Sequence, residues 1–465
     1  MRRPVANALD IDLAGGLTDQ VTPHAGSALL IELMRRSGVV ASAERHLPAK
    51  RSTKGVRQGE LVEAFIVLSA LGGECLDDFD NLRRDRGLAV LLGYDLPAAS
   101  TARQRLDQFH DPETVAGRPE QGSFIPAESA GLAGLRAVVE HSIRTYCAAV
   151  KPGPSATLDV DAHLVEASKQ HALRTYQGFR GYQPLLVSWA ETGLVVADEF
   201  RDGNVPASQR IKELVDQAAA ALPHRPSDDP WQISVRSDSA AYEWDILDHW
   251  QARGWRFAVS ADMSKALQRE IVALPPAAWT VCGQEANGVI REWAAVAYVP
   301  SRKTEKKDAP VYRYLAIRIR TPQGVLFGDG ASVKHFAVVT NDWATDGHAL
   351  LTWQRGKAGT IEHVNHVLKN ELAAGVYPSD KFGANAAWLR LQVLTLNLLE
   401  ILKATALDQQ YRNARPKRLR FAIFTQFGRV VRHARSQLLR LTTRVLDALL
   451  HPGLRRIRLA SWAGP

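Results

Sequence analysis

The stretch that decides the fold is TLDVDAHLV, residues 157–165. Leu158, Val160, Ala162 and Leu164 alternate with Asp159, Asp161, His163 and Val165, which is the two-residue period of a β-strand. Asp159 and Asp161 therefore project from one face of that strand, about 7 Å apart at the usual rise. Like charges that close repel, and desolvating them is costly unless a cation or hydrogen-bond donors compensate. A solvated strand face compensates with water, and a bound cation compensates with charge. The surrounding segments bear on that choice.

Downstream, the polar and aromatic loop KQHALRTYQGFRGY (169–182) leads to QPLLVSWA and LVVADEF. Glu191-Thr192-Gly193 separates these two runs and predicts a hairpin turn. A helix is expected over about Ser208–Leu222, then the strand WQISVRSD, the helix SAAYEWDILDHWQARG and the strand RFAVSA. Three strands of antiparallel type followed by helix, strand, helix, strand describe a mixed α/β sheet of RNase-H type. Residues 265–348 interrupt that order with β-rich runs, EWAAVAYVP, YRYLAIRI and HFAVVTND, and the charged SRKTEKKD is expected at a hairpin tip. Helical signals resume at Thr360.

Upstream, residues 1–20 read as an irregular arm, and the signals from Ser27 to Asp111 are helical. Gly38, Gly72-Gly73 and Gly93 stand where helix C-caps belong, and Ser100 is the expected N-cap of STARQRLDQFH. GLAVLLG and STARQRLDQFH have the spacing of a helix-turn-helix with Arg103, Gln104 and Gln108 toward a groove. They also read as a plain helical hairpin, the commoner arrangement, with Leu106 and Phe109 in the core. The expected organisation is a helical DNA-binding domain (1–111), a linker and connecting helix (112–155) and a first part of the core (156–264). A β-rich insertion (265–348), the C-terminal core helices (349–405) and a basic helical tail (406–465) follow.

In 465 residues, 46% hydrophobic and 23% charged content is ordinary for a soluble globular protein. Cys75, Cys147 and Cys282 lie far apart without a CxxC pair, which excludes a zinc ribbon or disulfide framework and suits a reducing cytoplasm. Acids interrupt the apolar run at the start, so no signal peptide is expected. The run LRLQVLTLNLLEILKA carries Asn397, Glu400 and Lys403 and is too short for a bilayer. Between Arg412 and Arg458, twelve arginines and one lysine face a single acid, Asp447. That segment holds +12 of a net +9, so the remainder is about −3, and a polyanion such as nucleic acid is the expected partner.

Two more acids join the strand pair. Asp238 ends the run SVRSD before a helix, a position that suits both an N-cap and a site at the carboxyl edge of a sheet. In GTIEHVNHVLKNELAAG, Glu362, Asn365, His366 and Lys369 form one helical stripe beside the apolar Ile361, Val364, Leu368 and Leu372. That stripe reads as a solvated face or as a site wall. Taken together, Asp161, Asp238 and Glu362 would converge on one spot of an RNase-H sheet. Clustered hard oxygens are what two Mg²⁺ ions require, with Mn²⁺ as a substitute, for phosphodiester chemistry. His366 and Lys369 then read as phosphate contacts.

The blocks LDVDAHLVEA, YQGFRGYQPLLVSWAETGLVVADEFRDGN, SVRSDSAAY and IEHVNHVLKNEL resemble those of the DDE transposases of bacterial insertion sequences. The order Asp161, Asp238, Glu362 is the same, and the last two lie 124 positions apart, leaving room for the β-rich insertion of one branch. Lys369, seven residues after Glu362, matches that branch's helical signature. The Tyr and Arg that the signature places seven and four residues before the Glu are here Arg355 and Ala358, so Arg355 and Lys357 are the expected sources of charge. Where the family shows DxT or DxS, this chain has Asp161-Ala162-His163. Asp161 is the preferred first ligand, with Asp159 as a support or the true ligand.

The resemblance implies an RNase-H-like transposase that binds terminal inverted repeats, cuts DNA with two Mg²⁺ ions and transfers the freed strand to a target. A homodimer formed on DNA and a cytoplasmic location follow from it. Arg174, Tyr176 and Arg180, with Phe179 and Tyr182, are expected to approach a DNA strand or to form a folded Gly-rich turn. FTQFGRVVRHARSQLLRLTTR is expected as a basic amphipathic helix presenting Arg432 and Arg435 to phosphates. Two other classes fit the same residues, an inactive transposase-derived DNA-binding protein and a metal-dependent nuclease without strand transfer.

Overall fold

A computed structural model describes residues 20–50, 55–119, 121–300, 308–322, 332–433 and 436–463. Most of the expected irregular arm and most of SRKTEKKD lie outside the described residues. The described chain begins with β1 (Val21–Thr22) and the helices α1 (Ala28–Arg36), α2 (Val39–His46), α3 (Gln58–Leu71), α4 (Asp78–Leu82), α5 (Arg86–Leu92) and α6 (Ala99–Asp107). Gly38, Gly72 and Gly93 follow their helices with φ of 77°, 100° and 80°, as expected of C-caps. Ser100 is not an N-cap. Helix α6 starts at Ala99, and its first N–H is met by Asp80 Oδ1 at 3.2 Å, a cap supplied from 19 residues upstream.

After α7 (Pro112–Ala116), α8 (Ala130–Val150) begins at Ser129, whose side chain accepts from Leu132 N. The strands β2 (Ser155–Ala162), β3 (Val165–Glu166), β4 (Leu173–Arg174), β5 (Arg180–Tyr182), β6 (Leu185–Trp189) and β7 (Leu194–Glu199) follow. Then come α9 (Ile211–Ala221), β8 (Gln232–Ser237), α10 (Trp244–Ala252) and β9 (Arg256–Ala261). The order β7-β6-β2-β8-β9 places the first long strand in the middle. β2 runs parallel to β8, β8 runs parallel to β9, and β6 is antiparallel to both β2 and β7. This is the RNase-H arrangement. The loop 169–182 is folded too, with β3, β5 and β4 forming a separate small sheet.

The next elements are α11 (Lys265–Val272), β10 (Thr280–Gln284), β11 (Ile290–Val296), β12 (Arg313–Arg320) and β13 (Val333–Thr340). These strands continue the same sheet, which reads β10-β11-β12-β13-β9-β8-β2-β6-β7. β13 pairs antiparallel with β9 from Ala258 to Ala261, so a strand that would end the sheet with unpaired N–H and C=O groups is covered. Helical structure resumes earlier than Thr360, at α12 (Gly347–Arg355), where Asp346 accepts from the His348 and Ala349 N–H groups. α13 (Ile361–Glu371) and α14 (Phe382–Thr405) come next.

Helix α14 is buried along nearly its whole length between α8, α3 and β7, and it explains the most apolar run of the sequence. Two of its buried polar residues tie it to β7. Asn397 pairs with both backbone groups of Val195 at 2.9 Å, and Arg390 Nε reaches Asp198 Oδ2 at 3.0 Å. Among the described residues no helix is long and apolar enough to cross a membrane.

The expected basic helix at 424–444 is instead a hairpin. After α15 (Pro416–Leu419), β14 (Gly428–His433) and β15 (Ser436–Arg440) pair antiparallel, and β1 adds a third strand beside β14. The final helix, α16 (His451–Leu459), packs on α1. The N-terminal helices and the C-terminal tail therefore share one packed region. A Cβ on Gly26 would lie 1.7 Å from Ile423 O, so the two chain segments touch at the backbone itself.

Candidate active site

The two aspartates of β2 have different surroundings. Asp159 is fully buried, and Arg236 from the adjacent β8 grips it with both forks, Nε to Oδ1 at 2.6 Å and Nη2 to Oδ2 at 2.8 Å. The Thr360 hydroxyl donates to the same carboxylate. Arg236 also donates to Trp353 O at the end of α12, and its guanidinium lies 5.3 Å from the centre of the Trp353 ring. Gly356 permits this approach, because a Cβ there would stand 2.6 Å from Arg236 Nη1. Asp159 thus fastens β2 and β8 to the α12–α13 connection, and its oxygens are taken. The sequence offered no signal for this pair, since Arg236 lies 77 positions away.

Asp161, two residues further along the same face, reaches the sheet edge. Asn365 Nδ2 of α13 donates to its Oδ2 at 2.8 Å. Asn365 is buried, so it leaves the expected solvated stripe, while Glu362, His366 and Lys369 remain exposed. The Lys357 ammonium lies 3.6 Å from Asp161 Oδ1 and 3.8 Å from Glu362 Oε1. Burial pushes the Asp161 carboxyl up to about 6; Lys357 pulls it down, and the charges of Asp238 and Glu362 push it up again. The end of β8 and helix α13 thereby bring Asp238 and Glu362 each within electrostatic reach of Asp161 on β2.

Asp238 is an N-cap as well. It starts the short 3₁₀ turn Ser239–Ala241, with Oδ1 accepting from Ala240 N at 3.1 Å. His163, next along β2, is held neutral: burial and then the nearby Lys369 push it down to about 4. It is therefore unsuited to a charged role.

The expected phosphate contacts are dispersed. Lys369 is exposed, with Nζ 3.4 Å from Leu164 O, and His366 lies beside it, where Arg415 Nη2 is 2.9 Å from His366 Nε2. Arg355 is exposed at the end of α12, and Lys357 is buried among the carboxylates. Arg174, Tyr176 and Arg180 are exposed on the small sheet, Tyr176 at 77%. Tyr182 is not with them; it is buried, its ring 4.7 Å from Phe200 and 5.3 Å from Tyr377. Arg432 falls in β14 and its side chain is not described, and Arg435 lies outside the described residues. Part of the tail's charge is spent inside the protein. Arg420 donates to Ser69 O, Ala70 O and Glu371 O, and Arg458 pairs with Glu32 at 2.9 Å.

The donors suit a divalent cation in kind and in charge. Asp161 and Glu362 are hard carboxylates that share one ammonium, and the Asp238 carboxylate acts on Asp161 from the end of β8. Among the described residues, no three His, Cys, Asp or Glu side chains are drawn around one point. Cys75, Cys147 and Cys282 are free and stand apart from this site.

Sequence comparison matches residues 7–462 to one family, described as Transposase DDE domain group 1. No curated protein matches the chain. Among solved structures, the cryo-EM structure of the piggyBac transposase synaptic complex with hairpin DNA is similar at 10% identity and a TM-score of 0.41, covering 80% of this chain and 74% of that one. With its RNase-H sheet and with nearly its whole length matched, the chain belongs to the transposase DDE domain group 1 family.

Proposed function

We propose that this transposase cuts DNA at the ends of an insertion sequence and joins the freed ends to a target, with Asp161, Asp238 and Glu362 as its catalytic carboxylates. The observation that supports this reading best is the Lys357 ammonium shared by Asp161 and Glu362 at the carboxyl end of β2, with Asp238 near enough to act on the charge of Asp161. Asn365 orients Asp161, Ala240 N orients Asp238, and the Asp159–Arg236–Thr360 cluster sets the start of the helix that carries Glu362. A divalent cation, Mg²⁺ or Mn²⁺, held by the three carboxylates would supply the Lewis acid that phosphodiester cleavage needs. Lys369 and His366 line the exposed flank of α13, where a DNA phosphate approaching the carboxylates would meet the Lys369 ammonium; Arg415 beside them is paired with Glu371. Arg355, at the end of α12, and Arg174, Tyr176 and Arg180, on the small sheet, are the further exposed DNA contacts of this reading. Two ends must meet one target, so two protein copies on paired ends complete the reading.

The test uses duplexes carrying the terminal inverted repeats that flank the coding DNA. The wild-type protein with Mg²⁺ should yield cleaved ends and joined target products. Asp161→Asn, Asp238→Asn and Glu362→Gln should each remove both while retaining end binding. Cleavage without joining would make the protein a nuclease, and binding without cleavage an inactive relative. Either result overturns the proposal.

A further inference from the structure

We propose that Lys357 is the built-in counter-ion of the carboxylate site: its ammonium fills the place of the divalent cation and withdraws when that cation binds. The inference rests on the metal reading above. Lys357 is buried as a residue, and its ammonium stands between Asp161 and the half-exposed Glu362 at 3.6 and 3.8 Å. Both distances lie within ion-pair range and beyond a good hydrogen bond of about 2.7–3.2 Å. The charge is therefore shared between two acids and clamped by neither.

Its surroundings separate a fixed base from a movable tip. The Lys357 carbonyl accepts from Thr360 N at 3.1 Å, and Thr360 is tied to the buried Asp159–Arg236 pair, so the backbone is anchored. The four-carbon stem beyond it is flexible, and an ammonium, unlike an arginine fork, makes no bidentate grip that would resist displacement. The acids facing the tip are Asp161 and Glu362, with Asp238 also acting on Asp161. A divalent cation and an ammonium cannot share that space, because they repel one another while competing for the same oxygens. Exchange would release a positive charge on the edge that carries Lys369 and His366, where the DNA phosphate is expected.

The experiment measures Mn²⁺ binding to metal-free, full-length protein without DNA, by the electron paramagnetic resonance of free Mn²⁺. Wild type is compared with Lys357→Met, Lys357→Gln, Lys369→Met and Asp161→Asn. Removing the Lys357 ammonium should tighten Mn²⁺ binding at least tenfold. Removing Lys369, a charge nearby that does not touch the carboxylates, should change it less than threefold. The Lys357 variants should also melt below wild type in EDTA and level with it in saturating Mn²⁺. Equal or weaker Mn²⁺ binding in both Lys357 variants, with wild type binding normally, overturns the inference. Wild type binding no better than Asp161→Asn would overturn the metal reading itself.

Discussion

Replacing Arg236 with methionine should cost about 3–5 kcal/mol of stability, the usual consequence of stranding one partner of a buried ion pair. The structure supports the upper half of that range. Asp159 has no solvent-exposed surface, and the change removes both charged hydrogen bonds, at 2.6 and 2.8 Å, leaving the Thr360 hydroxyl as the remaining donor. The tie to Trp353 O is lost as well, which frees the α12–α13 connection. The stranded carboxylate is then a buried group without its cation. Urea unfolding in EDTA measures this cost, with Asp159→Asn and the double variant alongside. The double variant should recover at least 2 kcal/mol relative to the sum of the two single changes, as groups in direct contact do. A single-variant cost under about 1 kcal/mol, or strict additivity, would refute the assignment of Asp159 as a structural anchor.

Asp161→Asn should stabilise the metal-free protein at pH 8. A folded pKa of about 6 against an ordinary 3.8 means that the folded state holds the proton more tightly, so stability falls as pH rises through that interval. The span corresponds to about 3 kcal/mol at most. The gain should vanish near pH 4, and thermal melts across pH 4–8 in EDTA would show a flat difference if the site exerts no such pressure. Gly26→Val should detach the C-terminal tail, because the new side chain would occupy the position of Ile423 O. The expected readouts are a lower melting temperature and protease cleavage within residues 412–440, and a variant as protease-resistant as wild type would contradict the shared packing of the two ends.

Short-range pattern carried much of this protein. The period of two in TLDVDAHLV, WQISVRSD and RFAVSA produced β2, β8 and β9, because alternation is written in neighbouring residues whatever lies beyond them. The helical spacing of IEHVNHVLKNEL likewise placed Glu362 and Lys369 on an exposed face of α13. Caps within four residues, such as Asp238, were legible for the same reason. The decisions left to tertiary structure concern partners distant in the chain. Asp159 and Asp161 are indistinguishable by period, and only Arg236 and Thr360, 77 and 201 positions away, make the first an anchor and leave the second at the edge. The run GRVVRHARSQLLR can follow a helical or an extended pattern, and β1, more than 400 residues upstream, completes the sheet that makes the hairpin favourable. Strands β10–β13 extend the core sheet because β9 has an open edge, a property of the assembled sheet that no segment of the chain possesses alone. Lys357 reads as one more basic residue near a DNA site. It becomes an internal cation only where folding buries it against two acids, since the energy of a charge depends on what surrounds it rather than on its neighbours in sequence.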